Sequence, residues 1–169
     1  MGVTVTLEWY EQLFAGFVGW MRFIEGQRLG VTKQRHDPNG EIIPTDIEAA
    51  AAELAAAKVL NIYWPCGVNT FKNRSDIGRH TEVRYTKYLS GKLRVGVNDH
   101  DDRPYVLVRG EFPTVEVVGW MLGRDAKQAH WRLFPEAFMV PANKLTPITQ
   151  WVARPNEPNA ESSRDLPGA

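Results

Sequence analysis

Cysteine is nearly absent: Cys66 is the only one in 169 residues. That excludes an internal disulfide and any zinc site built from several thiolates, and it suits a reducing compartment. Charge of one sign is not in excess either, since 20 Lys and Arg balance 20 Asp and Glu. The chain as a whole therefore does not steer itself toward DNA, a membrane or an acidic partner, and a nucleic-acid site must be a local patch. No long hydrophobic run occurs. Residues 13–24 come nearest, but Gly16, Gly19 and Arg22 interrupt them and Glu8 and Glu11 precede them, which is too short and too polar for a bilayer. No basic segment stands in front as in a secretory signal, so the expectation is a protein without membrane contact that stays in the cytoplasm. There is no G-x-G-x-x-G and no G-K-[ST], so a nucleotide-phosphate loop has no support. His36, His100 and His130 have no H-x-x-x-H spacing and suggest no zinc.

What is present is ordinary for a globular domain, with 43% apolar and 24% charged residues. The length suffices for one core. One α/β (α+β) domain is expected over residues 1–150. A polar tail is expected at 151–169; from Arg154 onward it has Pro155, Pro158, Ser162, Ser163, Pro167 and almost no large apolar group, so it cannot offset the entropy of ordering and is expected to be disordered.

The spacing predicts an amphipathic helix over 6–27, with Leu7, Tyr10, Leu13 or Phe14, Phe17 or Val18, Met21 and Ile24 on one face. Residues 30–44 read as an exposed loop. Thr45 followed by Glu48 has the capping-box pattern, so a second helix is expected from Thr45 to Leu60, with Ile47, Ala50, Ala51, Leu54 and Ala57 or Lys58 inward. Strand-like runs follow at 62–64, 82–88, 93–97, 105–109 and 115–121, then a short helix or turn at 123–127 and a strand at 137–140. The expected architecture is two N-terminal helices followed by a mixed, mainly antiparallel meander. Trp64, Trp120 and Trp131 sit among apolar neighbours and are expected in the core, and Cys66 is expected to be a small, half-buried filler.

Acidic residues recur in an informative order: Glu53 on the second helix, Asp76 in a turn, then Glu82-Val83-Arg84 in a strand. Alternation puts Glu82 and Arg84 on one face and Val83 on the other. Two carboxylates and a guanidinium converging at a sheet edge suit a divalent cation and a phosphate, because hard oxygens hold Mg²⁺ and a fixed cation neutralises charge at phosphorus. The same residues also make ordinary solvated ion pairs, and spacing alone leaves both readings open. Lys72, Arg74, Arg79, Arg84 and Lys87 interleave with Phe71, Tyr85 and Tyr88, as in a nucleic-acid surface, or as in a plain solvated strand face. His80 is either a proton-transfer group or a surface-loop histidine. Asp99, Asp101 and Asp102 read as a solvated turn, since the glycine and glutamate of a Ca²⁺ loop are missing.

The segments Glu53-Leu54-Ala55-Ala56-Ala57-Lys58, Ser75-Asp76-Ile77-Gly78, Glu82-Val83-Arg84-Tyr85-Thr86, Asp101-Asp102-Arg103-Pro104-Tyr105-Val106, Val118-Gly119-Trp120 and Gly123-Arg124-Asp125-Ala126-Lys127 resemble a family of phage and prophage proteins. That family is similar to the PD-(D/E)XK nucleases, the restriction-endonuclease fold. The resemblance implies Glu53 as the helix carboxylate, which together with Asp76 and Glu82 would hold Mg²⁺ or Mn²⁺. It puts Arg84 in the slot of the usual lysine, and DNA as the substrate of a metal-dependent nuclease. Arg84 departs from the pattern because a guanidinium does not titrate as a base. The gap from Asp76 to Glu82 is also short. An inactive nuclease fold that grips a host or phage protein is the alternative.

Overall fold

The computed structural model of the chain describes residues 2–30, 42–68 and 74–151. Residues 31–41 of the loop expected at 30–44, the tail from 152 onward, and Phe71, Lys72 and His36 lie outside the described residues, and residues 42–44 of that expected loop are helical.

The chain opens on a strand, β1 (Val3–Thr6), where a helix was expected to begin. The Val-Thr-Val-Thr alternation is a strand pattern, and the helix starts after it. Helix α1 spans Trp9–Arg28, with the Glu11 carboxylate accepting the Glu8 backbone N–H at 2.8 Å at its start. Helix α2 spans Ile42–Leu60, so it begins before Thr45. Pro44 sits in the first turn, where its missing N–H would have no helical partner in any case. Thr45 and Glu48 are therefore inside the helix rather than at its cap.

Helix α2 is central. Ala50, Ala51, Ala52, Ala55, Ala56 and Ala57 are all buried, because α2 is covered by α1 and also packs on the sheet. The alanines let α1 come close: a Cβ on Gly19 would lie 2.5 Å from the Ile47 Cα. Leu7 and Val18 of the expected inward face are buried, but its larger residues on α1 are not. The buried residues of α1 are the small Ala15, Val18 and Gly19, while Tyr10, Leu13, Phe17 and Ile24 are exposed. Small residues face α2 since only they permit that separation, and the large apolar stripe points away.

The strands are β2 (Glu82–Thr86), β3 (Leu93–Gly96), β4 (Pro104–Glu111), β5 (Thr114–Leu122), β6 (Arg132–Phe134), β7 (Ala137–Val140) and β8 (Thr146–Pro147), with a short helix α3 (Gly123–Ala126) after β5. They form two sheets rather than one meander. The larger has the order β1-β5-β4-β2 with β8 also on β5; the smaller is β3-β7-β6. Every pairing is antiparallel except β2 with β4, which is parallel because β3 leaves for the other sheet between them. The expected strand at 62–64 is not among them. Pro65 follows it and cannot donate to a ladder, and irregular backbone delivers Ile62 and Trp64 to the core instead.

Alternation along β4 divides the core in two. Val106 and Val108 join Val115, Val117 and the α2 alanines on one face, while Tyr105 and Leu107 pack with Leu93, Val95 and Val140 on the other. A β-bulge at Val118, where Leu107 pairs with Gly119 but Val108 with Val117, shifts the alternation by one residue, so Trp120 packs with the first cluster and Met121 with the second. The molecule is thus α+β, with mostly antiparallel strands. No helix among the described residues is long and apolar enough to cross a membrane.

Candidate functional site

The site is built around a tight turn leading into β2. Ile77 and Thr81 exchange backbone hydrogen bonds of 3.1 and 3.3 Å, and Gly78 takes a left-handed φ of 57° that suits glycine. The Ser75 hydroxyl donates to the Gly78 carbonyl at 3.1 Å. This turn spans the short Asp76–Glu82 gap and sets the two residues side by side. Asp76 Oδ2 accepts the Val83 N–H at 2.8 Å, tying its carboxylate to the start of the strand.

Alternation in β2 works as expected: Val83 and Tyr85 pack with the α2 core, and Glu82 and Arg84 take the other face. Arg84 is held from several sides. Its guanidinium donates to Asp99 Oδ2 and to the Val83 carbonyl, both at 3.0 Å, and lies 5.0 Å from the centre of the Tyr105 ring. Asp76 Oδ2 and Glu82 Oε2 are 3.5 and 3.7 Å from it. These longer separations make Arg84 an electrostatic neighbour of both carboxylates, anchored elsewhere. Glu82 itself pairs with Arg103 at 2.6 Å.

Glu53 on α2 is buried, and both its oxygens are taken. Arg22 of α1 meets it in a fork at 2.8 and 2.6 Å, and the Trp64 indole N–H donates to it at 3.0 Å. Arg22 also donates to the Gly67 carbonyl at 2.8 Å. Such bidentate pairs fix geometry as well as charge.

The electrostatics tie these groups together. Burial, and then the Asp76 charge, push Glu82 up to about 7 against the pull of Arg103 and Arg84. Burial raises Glu53 as well, with the Asp76 charge adding to it and Arg22 and Trp64 opposing. Asp76 therefore lies within electrostatic reach of both glutamates. Burial works to raise Asp99, but the Arg84 charge and the Gly96 N–H outweigh it and hold it below the usual carboxylate range.

A divalent cation would find two hard donors here, the carboxylates of Asp76 and Glu82. Among the described residues there is no group of three or more His, Cys, Asp or Glu side chains arranged around one point, and Glu53 is committed to Arg22. Two carboxylates nevertheless fit Mg²⁺ or Mn²⁺, because Mg²⁺ keeps several waters and is commonly held by one or two carboxylates plus substrate phosphate.

The basic residues divide. Arg74 and Arg79 are exposed on the segment around the turn, as is His80. Lys87 is not with them: it follows the far end of β2, roughly 17 Å along the strand from Glu82. Its amine lies 5.6 Å from the centre of the Tyr88 ring, and the residue borders a cavity of about 390 Å³ with Gln12, Glu48, Glu111 and Phe112.

Sequence reasoning missed Arg22, Trp64, Asp99 and Arg103. Arg22 carried a signal, being the lone cation inside the apolar stretch 13–24, where an arginine needs a partner if it is buried. Asp99 is no solvated turn residue; it is half-buried between Arg84 and the Gly96 N–H, to which it accepts at 2.8 Å. Asp101 does sit on the surface, paired with Lys127 at 2.6 Å. No protein-family model, curated protein or solved structure matches the chain.

Proposed function

We propose that this chain is a divalent-cation-dependent phosphodiesterase of restriction-endonuclease-like type that acts on DNA, with Asp76 and Glu82 as cation ligands. The observation that carries the reading is the side-by-side placement of Asp76 and Glu82 by the Ile77–Thr81 turn, with the Arg84 guanidinium 3.5 and 3.7 Å from them. A bound Mg²⁺ or Mn²⁺ supplies polarisation of a phosphoryl oxygen and activation of water. Arg84 stays charged at every working pH and is fixed by Asp99 and Val83, so it neutralises charge developing at phosphorus without reorganising. Glu53, locked by Arg22 and Trp64, is a positioning residue that shapes the field at Asp76. Exposed Arg74 and Arg79 are suited to backbone phosphates. The resemblance to phage and prophage proteins adds a source, a phage protein working in the host cytoplasm. Cleavage of double- and single-stranded DNA in Mg²⁺ and Mn²⁺ tests the proposal. The Asp76→Ala, Glu82→Ala double variant is expected to lose at least ~100-fold in rate, a loss typical of removing the groups that stabilise transition-state charge. Undiminished cleavage by that variant would sink the assignment.

A second reading has its own support: Glu53, Glu82 and Asp99 already have arginine partners at 2.6, 2.6 and 3.0 Å. A nuclease fold so neutralised serves as a non-catalytic module that grips a host or phage protein. Under that reading the protein cuts no DNA and its stability ignores divalent cations.

A further inference from the structure

The largest unexplained feature lies away from the acidic site, on the outer face of α1. Trp9, Tyr10, Leu13, Phe17, Trp20 and Ile24 are 43–72% exposed. At 100° per residue they fall within one face about 100° wide, and Tyr10, Leu13, Phe17, Trp20 and Ile24 alternate spacings of three and four, the pattern of a helix seam that packs on another helix. Side chains of this kind present roughly 150–250 Å² each when fully open, so the six expose on the order of 700 Å². The largest apolar patch on an ordinary monomer is about 300–600 Å². A standard interface takes about 800 Å² from each partner, so this face alone nearly meets what one side of a stable dimer requires.

We infer that a second copy of this chain covers the face, through an isologous pairing of α1 with α1. The chain's own remaining segments do not have the apolar surface to do so. Residues 31–41 offer Val31, residues 69–73 offer Phe71, and residues 152–169 offer Val152 and Leu166 as their large apolar side chains. A lipid surface suits the helix poorly, because interfacial helices carry a Lys- and Arg-rich polar face and α1 with its cap residue has Glu8, Glu11 and Glu25 against Arg22 and Arg28.

The face is also self-complementary. Phe17 stands midway between Tyr10 and Ile24, so an antiparallel two-fold pairing about Phe17 sets Tyr10 of one copy against Ile24 of the other, Leu13 against Met21 and Phe14 against Trp20, while Trp9 at the edge falls opposite Glu25. Beside Phe17, Gly16 has no atom of the described residues within 4 Å of where its Cβ would be. Glycine is the least favourable residue after proline inside a helix, and nothing among the described residues requires it at position 16. Close approach by a second helix does.

Sedimentation equilibrium of the full chain at micromolar concentration, without DNA or metal, tests this independently of any nuclease activity. Wild type is expected to be a dimer. Phe17→Glu and Trp20→Glu, both at exposed positions and so compatible with the fold by circular dichroism, are expected to raise the dimer dissociation constant at least ~30-fold, the size of a hot-spot loss. Leu89→Glu, exposed and outside α1, is expected to leave the dimer unchanged. A monomeric wild type overturns the inference, whether or not it binds phosphatidylcholine vesicles. So does a dimer that Leu89→Glu weakens and the α1 variants do not.

Discussion

Glu82 holds its proton more tightly than an ordinary glutamate, and stability should follow pH accordingly. Its folded-state pKa is raised to about 7 by burial first and the Asp76 charge second, from an ordinary 4.5. Between those values the folded chain binds more protons than the unfolded chain, so stability falls as pH rises across the window. The fall is on the order of 3 kcal/mol. Urea midpoints at pH 5 and pH 8 should therefore differ in wild type, with pH 5 the more stable, and Glu82→Gln should flatten that difference; a variant with the full slope would place its origin elsewhere. Glu53 behaves differently because both its oxygens are used. Glu53→Ala strands the Arg22 guanidinium and the Trp64 indole in the interior, and removing one partner of a buried pair costs about 3–5 kcal/mol. Denaturant unfolding reads this directly, and a loss below about 1 kcal/mol would mean that water replaces the carboxylate. The acidic residues could be named from sequence because Asp-x-x-x-x-x-Glu-x-Arg is contiguous. Which arginines pair with them could not, even though Arg22 stands out as a lone cation in an apolar stretch, since Arg22 and Arg103 reach them only through tertiary contact.

Between elements, the α1–α2 contact depends on small residues. A Cβ at Gly19 would sit 2.5 Å from the Ile47 Cα and 2.6 Å from its backbone N, and backbone cannot yield as a flexible side chain can. Gly19→Ala is expected to force the helices apart and destabilise the fold by about 1–3 kcal/mol, the range for overpacking. Chemical denaturation of Gly19→Ala beside Gly16→Ala provides the comparison, because position 16 has open space among the described residues. Equal effects at both sites would contradict the packing described. The same contact explains why α1 was misread. Periodicity identifies an apolar face but does not say that a neighbouring helix rich in alanine will take the smallest side chains instead. Strands β4 and β5 were legible because each is a long apolar or alternating run. The very short β6 and β8 were not, since 3 and 2 residues carry no period.

Across the fold, the candidate site draws on α1, α2, the turn before β2, β2 itself and the segment between β3 and β4. Chain order foretold a helix carboxylate followed by a strand pair. It did not foretell that β3 would leave for a second sheet, which is what makes β2 parallel to β4 and brings Asp99 and Arg103 beside Glu82 and Arg84. The claim on which the functional reading rests is that Asp76 and Glu82 together form a divalent-cation site. Thermal melting of wild type and Asp76→Ala in EDTA and in Mn²⁺, at pH 8 where Glu82 has released its proton, tests it most directly, because a ligand that binds only the folded chain raises the midpoint. The account predicts a Mn²⁺-dependent rise in wild type that Asp76→Ala abolishes; a wild-type midpoint that does not respond to Mn²⁺, or an equal rise in both proteins, would contradict it.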